Sequence, residues 1–138
     1  MNISTVRRLL VILIAAVAFS GNSVHSQDGK DDWRSIGTLT LREGIYSVYY
    51  SPGRRVRRNG LVRAWFKIIE PEASSSSHSY FLVQFNCREG KYRLLQQTIF
   101  NRNGGGTGSI KPTAWQYPDP ESVPEMQYRA ICHQARSQ

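Results

Sequence analysis

FLVQFNCREGKYRLL, residues 81–95, is two apolar-alternating runs set around Glu89-Gly90. Runs of Val, Leu, Phe and Tyr with period two, broken by a glycine-containing turn, predict a β-hairpin. Centring the turn on Glu89-Gly90 places Cys87 opposite Tyr92 and Phe85 opposite Leu94. Phe81, Val83, Phe85 and Cys87 then share one face, so that face is the expected core.

The same pattern spreads outward. GTLTLREGIYSVYY, residues 37–50, predicts a hairpin turning at Glu43-Gly44, with Leu41 opposite Tyr46 and Leu39 opposite Val48. Between the two hairpins, LVRAWFKII, residues 61–69, alternates so that Val62, Ala64, Phe66 and Ile68 point one way and Arg63, Trp65 and Lys67 the other. The serine stretch 74–79 and the glycine-rich NRNGGGTGS, residues 101–109, are low in complexity and predict irregular connections. A phosphate-binding loop is excluded in the second, because Ser109-Ile110-Lys111-Pro112 replaces the Gly-Lys-Ser/Thr helix opening that such a loop requires.

Beyond Pro118 and Pro120 the pattern changes. Ser122 as N-cap, Pro124 in the first turn and Glu125 at the capping-box position start a helix running toward Cys132. Val123, Met126, Ala130 and Ile131 form the side expected to lie on the sheet. The expected fold is α+β, an antiparallel sheet of about five to six strands packed against a C-terminal helix.

The N-terminus sets the compartment. Arg7 and Arg8 precede an apolar run from Leu9 to Phe19, followed by small and polar residues, which is the form of a secretory signal peptide. The run is too short for a bilayer span of about 20 residues. Cleavage after Ser26, or after Ser20, is expected, giving a signal peptide over 1–26 and one domain over 27–138. Losing Arg7 and Arg8 takes the formal net charge from +8 to +6. An exported basic domain meets anionic polysaccharide, lipid head groups or acidic protein surfaces, so nucleic acid is not an expected physiological partner. Cys87 and Cys132 are an even pair in an oxidising compartment, so a disulfide is expected. A zinc site built on Cys87, Cys132 and His133 lacks a fourth ligand.

Catalytic residues are scarce. His78 lies in the serine stretch, where a mobile solvated side chain is expected, and His133 follows Cys132 at the helix end. Asp119, Glu121 and Glu125 are accounted for by turn and capping roles. No catalytic residue, metal ligand or cofactor is assigned. Binding is better supported. SPGRRVRRNG, residues 51–60, carries Arg54, Arg55, Arg57 and Arg58 in the loop expected before Leu61, and Arg63 and Trp65 lie on the outward side of the following strand. These six are the candidate contact residues, although the arginines also serve solubility. Tyr49, Tyr50, Tyr80, Tyr92, Trp115 and Tyr117 enlarge the aromatic set suited to an interaction surface, while packing explains any one of them.

Trp33, Tyr49-Tyr50, RNGLVRAW, SYFLVQFNC, KYRLLQ, the glycine-rich stretch, WQYPDPES and Cys132 follow one another in an order that resembles the surface-adhesin protein E family of bacterial exported proteins. The resemblance covers nearly all of the chain after the leader. It implies a small antiparallel sheet on a C-terminal helix, paired cysteines, dimers, and adhesion to host extracellular-matrix or serum proteins without enzymatic activity. Two departures stand out. No lipid-attachment cysteine follows the leader, which favours a periplasmic or released protein over a lipid-anchored one, and Glu121 stands where the family often has Gly. A periplasmic module for polysaccharide or glycosaminoglycan is the alternative function.

Overall fold

The computed structural model describes residues 32–133. The leader expected over 1–26 lies outside them. The described chain forms one antiparallel sheet of seven strands, ending in a short helix. The strands are β1 (Arg34–Leu41), β2 (Gly44–Tyr50), β3 (Val56–Arg58), β4 (Leu61–Ile69), β5 (Ser76–Asn86), β6 (Lys91–Asn101) and β7 (Gly106–Ser109). Their spatial order is β1-β2-β4-β5-β6-β7, with β3 paired to β4 beside β2's end. The helix α1 (Val123–Tyr128) continues into a wider π turn over Arg129–His133.

Alternation in β4 and β5 builds the core as expected. Val62, Ala64 and Phe66 stand opposite Phe85, Val83 and Phe81, and the first two rows continue onto Tyr92 and Leu94 of β6. Phe66 and Phe85 are fully buried and meet edge-on with centroids 5.9 Å apart. Val48 and Tyr50 extend this face through β2, and Ile131 and Cys132 close it from the helix side. Gln127 of α1 is also buried, a position that hydrophobic patterning passes over.

Both hairpins form, each with a register two residues from the expected one. In the first, Leu41 pairs with Gly44 and Leu39 with Tyr46, so the turn is Arg42-Glu43. Gly44 enters the strand at φ 136°, and a Cβ there would lie 2.7 Å from Pro71 Cβ. The glycine is needed for this close approach rather than for the turn centre. In the second, Phe85 pairs with Tyr92 and Val83 with Leu94, leaving the four residues Cys87 to Gly90 as the turn. Asn86 Oδ1 accepts from the Glu89 N–H at 3.1 Å, closing that turn with a side chain. Because strand side chains repeat every two residues, a slip of two leaves every face assignment intact.

The low-complexity stretches are connections only over 74–75 and 102–105; the rest of each joins the sheet, against expectation. Ser76 to Ser79 belong to β5, and Gly106 to Ser109 form β7 on the outer edge of β6. Hydrogen bonds hold the serines in place. Ser79 Oγ and Ser74 Oγ donate to the Glu70 carboxylate at 3.0 and 2.6 Å, Ser77 Oγ donates to the Phe100 carbonyl, and Arg102 clasps the Ser74 carbonyl. His78 is likewise fixed rather than mobile. It stacks on Phe100 at 4.7 Å and meets Tyr80 edge-on at 5.4 Å. Beyond β7, residues 113–116 return along the other half of β6, with the N–H and C=O of Tyr92 and Gln116 exchanged at 2.9 Å.

The disulfide forms as expected. Cys87 and Cys132 are bonded with Cα atoms 5.3 Å apart, so no zinc reading of these sulfurs survives. Tyr128 Oη donates to the Cys87 carbonyl at 3.2 Å, a second tie between helix and turn. Ser122 caps α1 by accepting from the Glu125 N–H at 3.3 Å. The Glu125 carboxylate reaches back to the N–H of Glu121, 2.7 Å, rather than to that of Ser122, so the capping box is displaced by one residue.

Glu121 has φ 57°, in the left-handed region that glycine tolerates and other residues enter at a cost. The departure from glycine noted in the sequence thus falls on a strained backbone. Glu121→Gly keeps the N–H bonded to Glu125 and is expected to be neutral or to raise stability by up to about 1 kcal/mol. Urea unfolding of the two proteins measures it, and a clear loss would show that the Glu121 side chain, not its backbone, sets the position.

Candidate binding surface

Among the described residues the helix covers one face of the sheet, and no helix lies on the other, the open face. Strand register assigns the open face row by row. Arg63, Gln84 and Arg93 form one row across β4, β5 and β6, with Val56 of β3 on the outer side of Arg63. Trp65, Leu82 and Gln96 form the next, then Lys67, Tyr80 and Thr98, with Tyr49 beside Lys67. Ile69, His78 and Phe100 form the last.

The expected arginine loop is only partly a loop. Pro52–Arg54 make a single tight turn, and Val56–Arg58 then pair with β4 as β3, so RRVRRNG is the first arm and tip of a hairpin. Asn59 and Gly60 turn it with φ 52° and 74°. Positive φ at both central residues is the type I′ geometry that matches strand twist, and Asn-Gly is its strongest sequence signal.

Strand alternation distributes the four arginines, so they do not form one patch. Arg58 lines a groove of about 320 Å³ on the open face, together with Val56, Asn59, Leu61, Arg63 and Gln84. Arg57 points to the other side, into a pocket of about 290 Å³ beside the disulfide that Arg88 and His133 also line. Arg54 lines a shallow cleft of about 240 Å³ with Trp65, Tyr80, Thr98 and Phe100. Arg55 is exposed between turn and strand. The structure therefore brings Arg58 to Arg63, and Arg54 to Trp65, and separates Arg57 from both groups.

Two cations of the open face, Arg58 and Arg63, stand without an acid among the described residues. Neither makes an ion pair there, nor does Arg57 on the opposite side, while Lys91 pairs with Glu89 and Arg129 with Glu125. Cations on a surface without counter-charges raise the local potential that steers an anionic partner. Arg93 is held differently. Its Nε donates to Gln84 Oε1 at 2.9 Å, and its guanidinium lies 4.7 Å from the Trp115 ring centre. Lys91 sits 5.4 Å from the Tyr117 ring in the same manner, at the sheet edge. Trp115 and Tyr117 are both exposed, Tyr117 strongly so. These cation–π contacts hold basic and aromatic groups together at the surface.

The aromatics divide between the two faces. Tyr50 and Tyr92 pack with the core. Burial, and secondarily the Asp119 carboxylate, push the Tyr92 phenol above its ordinary value. Tyr80 lies on the open face, where Trp33 packs against it at 5.7 Å and Phe100 at 5.9 Å. Sequence reasoning missed Gln84, Arg93, Phe100 and His78 as members of this face. The alternation of FLVQFNC and KYRLLQ carried a signal for Gln84 and Arg93, whereas the bulge at Leu82/Val83 hides the parity of everything after Leu95.

No three His, Cys, Asp or Glu side chains are grouped to hold a metal among the described residues. No helix there is long and apolar enough to cross a membrane. No curated protein and no solved structure gives a match to the chain. The family model for surface-adhesin protein E matches residues 33–133, from the aromatic Trp33 on the open face to the last residue of the disulfide-tied helix, and the chain belongs to that family.

Proposed function

We propose that this chain is an exported, non-enzymatic binding protein that contacts host extracellular-matrix or serum proteins, or cell-envelope components, through the open face of its sheet. The observation that carries this reading is the coincidence on the open face of two cations with no ion-pair partner among the described residues, Arg58 and Arg63, with the aromatics Trp65, Tyr80 and Trp115. Arginine and large aromatics are the residue types that dominate contact energies in protein interfaces. Family membership supports the adhesive role, and the leader read at 1–26 supports export. On this reading Arg54, Arg55, Arg57 and Arg58 do not contribute equally, because their side chains leave the hairpin in different directions.

Binding to immobilised matrix proteins tests it. Replacing all four arginines by Ser is expected to reduce binding at least tenfold, and adding Arg63→Ser to reduce it further. Unchanged binding across the set would remove the hairpin from the contact surface.

A second reading, a periplasmic polyanion-binding module, is favoured by the same uncompensated arginines. Salt separates the two. Affinity for a linear polyanion falls steeply as ionic strength rises, because counterions are released, whereas a contact dominated by aromatic burial weakens little.

A further inference from the structure

Every polar group lining the groove between β3, β4 and β5 can be a donor. Arg58 and Arg63 carry guanidinium groups, which have no acceptor. Asn59 stands at the turn above them. Gln84 forms the floor, 3 % exposed. Its orientation is set from behind, because Arg93 Nε can only donate and so must face Oε1. The Gln84 Nε2 is thereby left as a donor, with no hydrogen-bond partner among the described residues. No carboxylate of the described residues lines the groove. Arg63 and Arg93 flank Gln84 on adjacent strands with Cα atoms about 10 Å apart, two inter-strand spacings.

We propose that this groove is an oxyanion site that binds one sulfate or carboxylate substituent of an acidic glycan. An anion with acceptors only is complementary to a site whose polar side chains can all donate and which holds two guanidinium charges, and guanidinium forks recognise such groups with two parallel hydrogen bonds. Arg58 and Arg63 contact the anion, Gln84 donates from the floor, and Arg93 is a positioning residue that keeps the Gln84 amide turned outward. The inference rests on the open face being the contact surface and deepens the polyanion reading by assigning it a groove and the substituent that groove takes.

Calorimetric titration with a sulfated heparin hexasaccharide and, separately, with a hyaluronate oligosaccharide carrying carboxylates alone distinguishes the two anion types. At least one is expected to bind. Arg63→Ser is expected to weaken that binding at least tenfold. Arg57→Ser removes the same charge from the opposite side and is expected to change it less than twofold. Gln84→Glu places a fixed carboxylate on the groove floor and is expected to weaken binding at least as much as Arg63→Ser. Arg63 is exposed, so its variant keeps the test valid should the buried Gln84 variant not fold. Absence of binding by both oligosaccharides, or equal losses for Arg63→Ser and Arg57→Ser, would overturn the site. Matrix-protein adhesion of the same variants is scored separately. Adhesion lost in Arg63→Ser without glycan binding would leave the surface standing and this inference refuted.

Discussion

Replacing Cys87 and Cys132 together by Ser is expected to destabilise the domain by about 4 kcal/mol, the chain-entropy value for a loop of this length. The bond joins residues 45 apart in sequence and ties the turn after β5 to the end of the terminal helix. For a domain of this size such a loss corresponds to a fall in Tm of roughly 15–30 °C. The physical reason extends beyond loop closure. The helical segment is only 11 residues including its π turn, too short to hold itself on the sheet by local propensity. Its other fastenings include Ile131 in the core, Tyr128 packed on Phe85 and the Tyr128 hydrogen bond to the Cys87 carbonyl. Thermal unfolding followed by circular dichroism, on the double variant and on wild type with reductant, measures the effect. A Tm within a few degrees of wild type would mean that helix packing alone seats the terminus.

Phe66→Ala is expected to cost about 3–5 kcal/mol, whereas Trp65→Ala, its immediate neighbour, costs well under half of that. Phe66 is fully buried between Tyr50 and Phe85, at centroid distances of 6.5 and 5.9 Å. Its removal leaves a cavity that the sheet, pinned on both sides by hydrogen-bonded strands, cannot close. Trp65 lies half-buried on the open face, where truncation removes contact area without making a sealed void. The binding assay is expected to invert the order. Trp65→Ala reduces adhesion while retaining the fold, because aromatic side chains on a contact surface carry a large share of binding energy. Equal destabilisation by the two substitutions in urea unfolding would contradict the two-faced sheet.

Much of the fold was legible because period-two alternation is a local property. Val62, Ala64, Phe66, Val83 and Phe85 declared themselves core by spacing alone, and Ser122 and Pro124 declared a helix start by capping chemistry. The registers were less legible. Glu-Gly turns do not impose a loop length, and the true lengths were chosen by Gly44 passing Pro71 and by the Asn86 side chain closing the turn before Gly90. The serine and glycine stretches were read as irregular since composition reports entropy lost on ordering and says nothing of the bonds that offset it. Glu70, Arg102 and the edge of β6 supply those bonds from elsewhere in the chain. The candidate surface was half legible. Arg63 and Trp65 were placed on the outward side by alternation, but RRVRRNG read as a single cationic tip, and pairing of Val56–Arg58 with β4 sends alternate side chains to opposite faces.

The amino-acid sequence by itself determined which residues are apolar on one side of each strand, where the helix begins, that two thiols are available to pair, and that the chain is basic. These follow from side-chain chemistry and from backbone geometry repeated over a few residues. Only the tertiary structure decided which strands are neighbours, and hence that Arg63, Gln84 and Arg93 form one row and that Arg57 is parted from Arg58. Contacts of that kind join residues far apart in the chain, and they are selected by the packing of the whole core rather than by any segment within it.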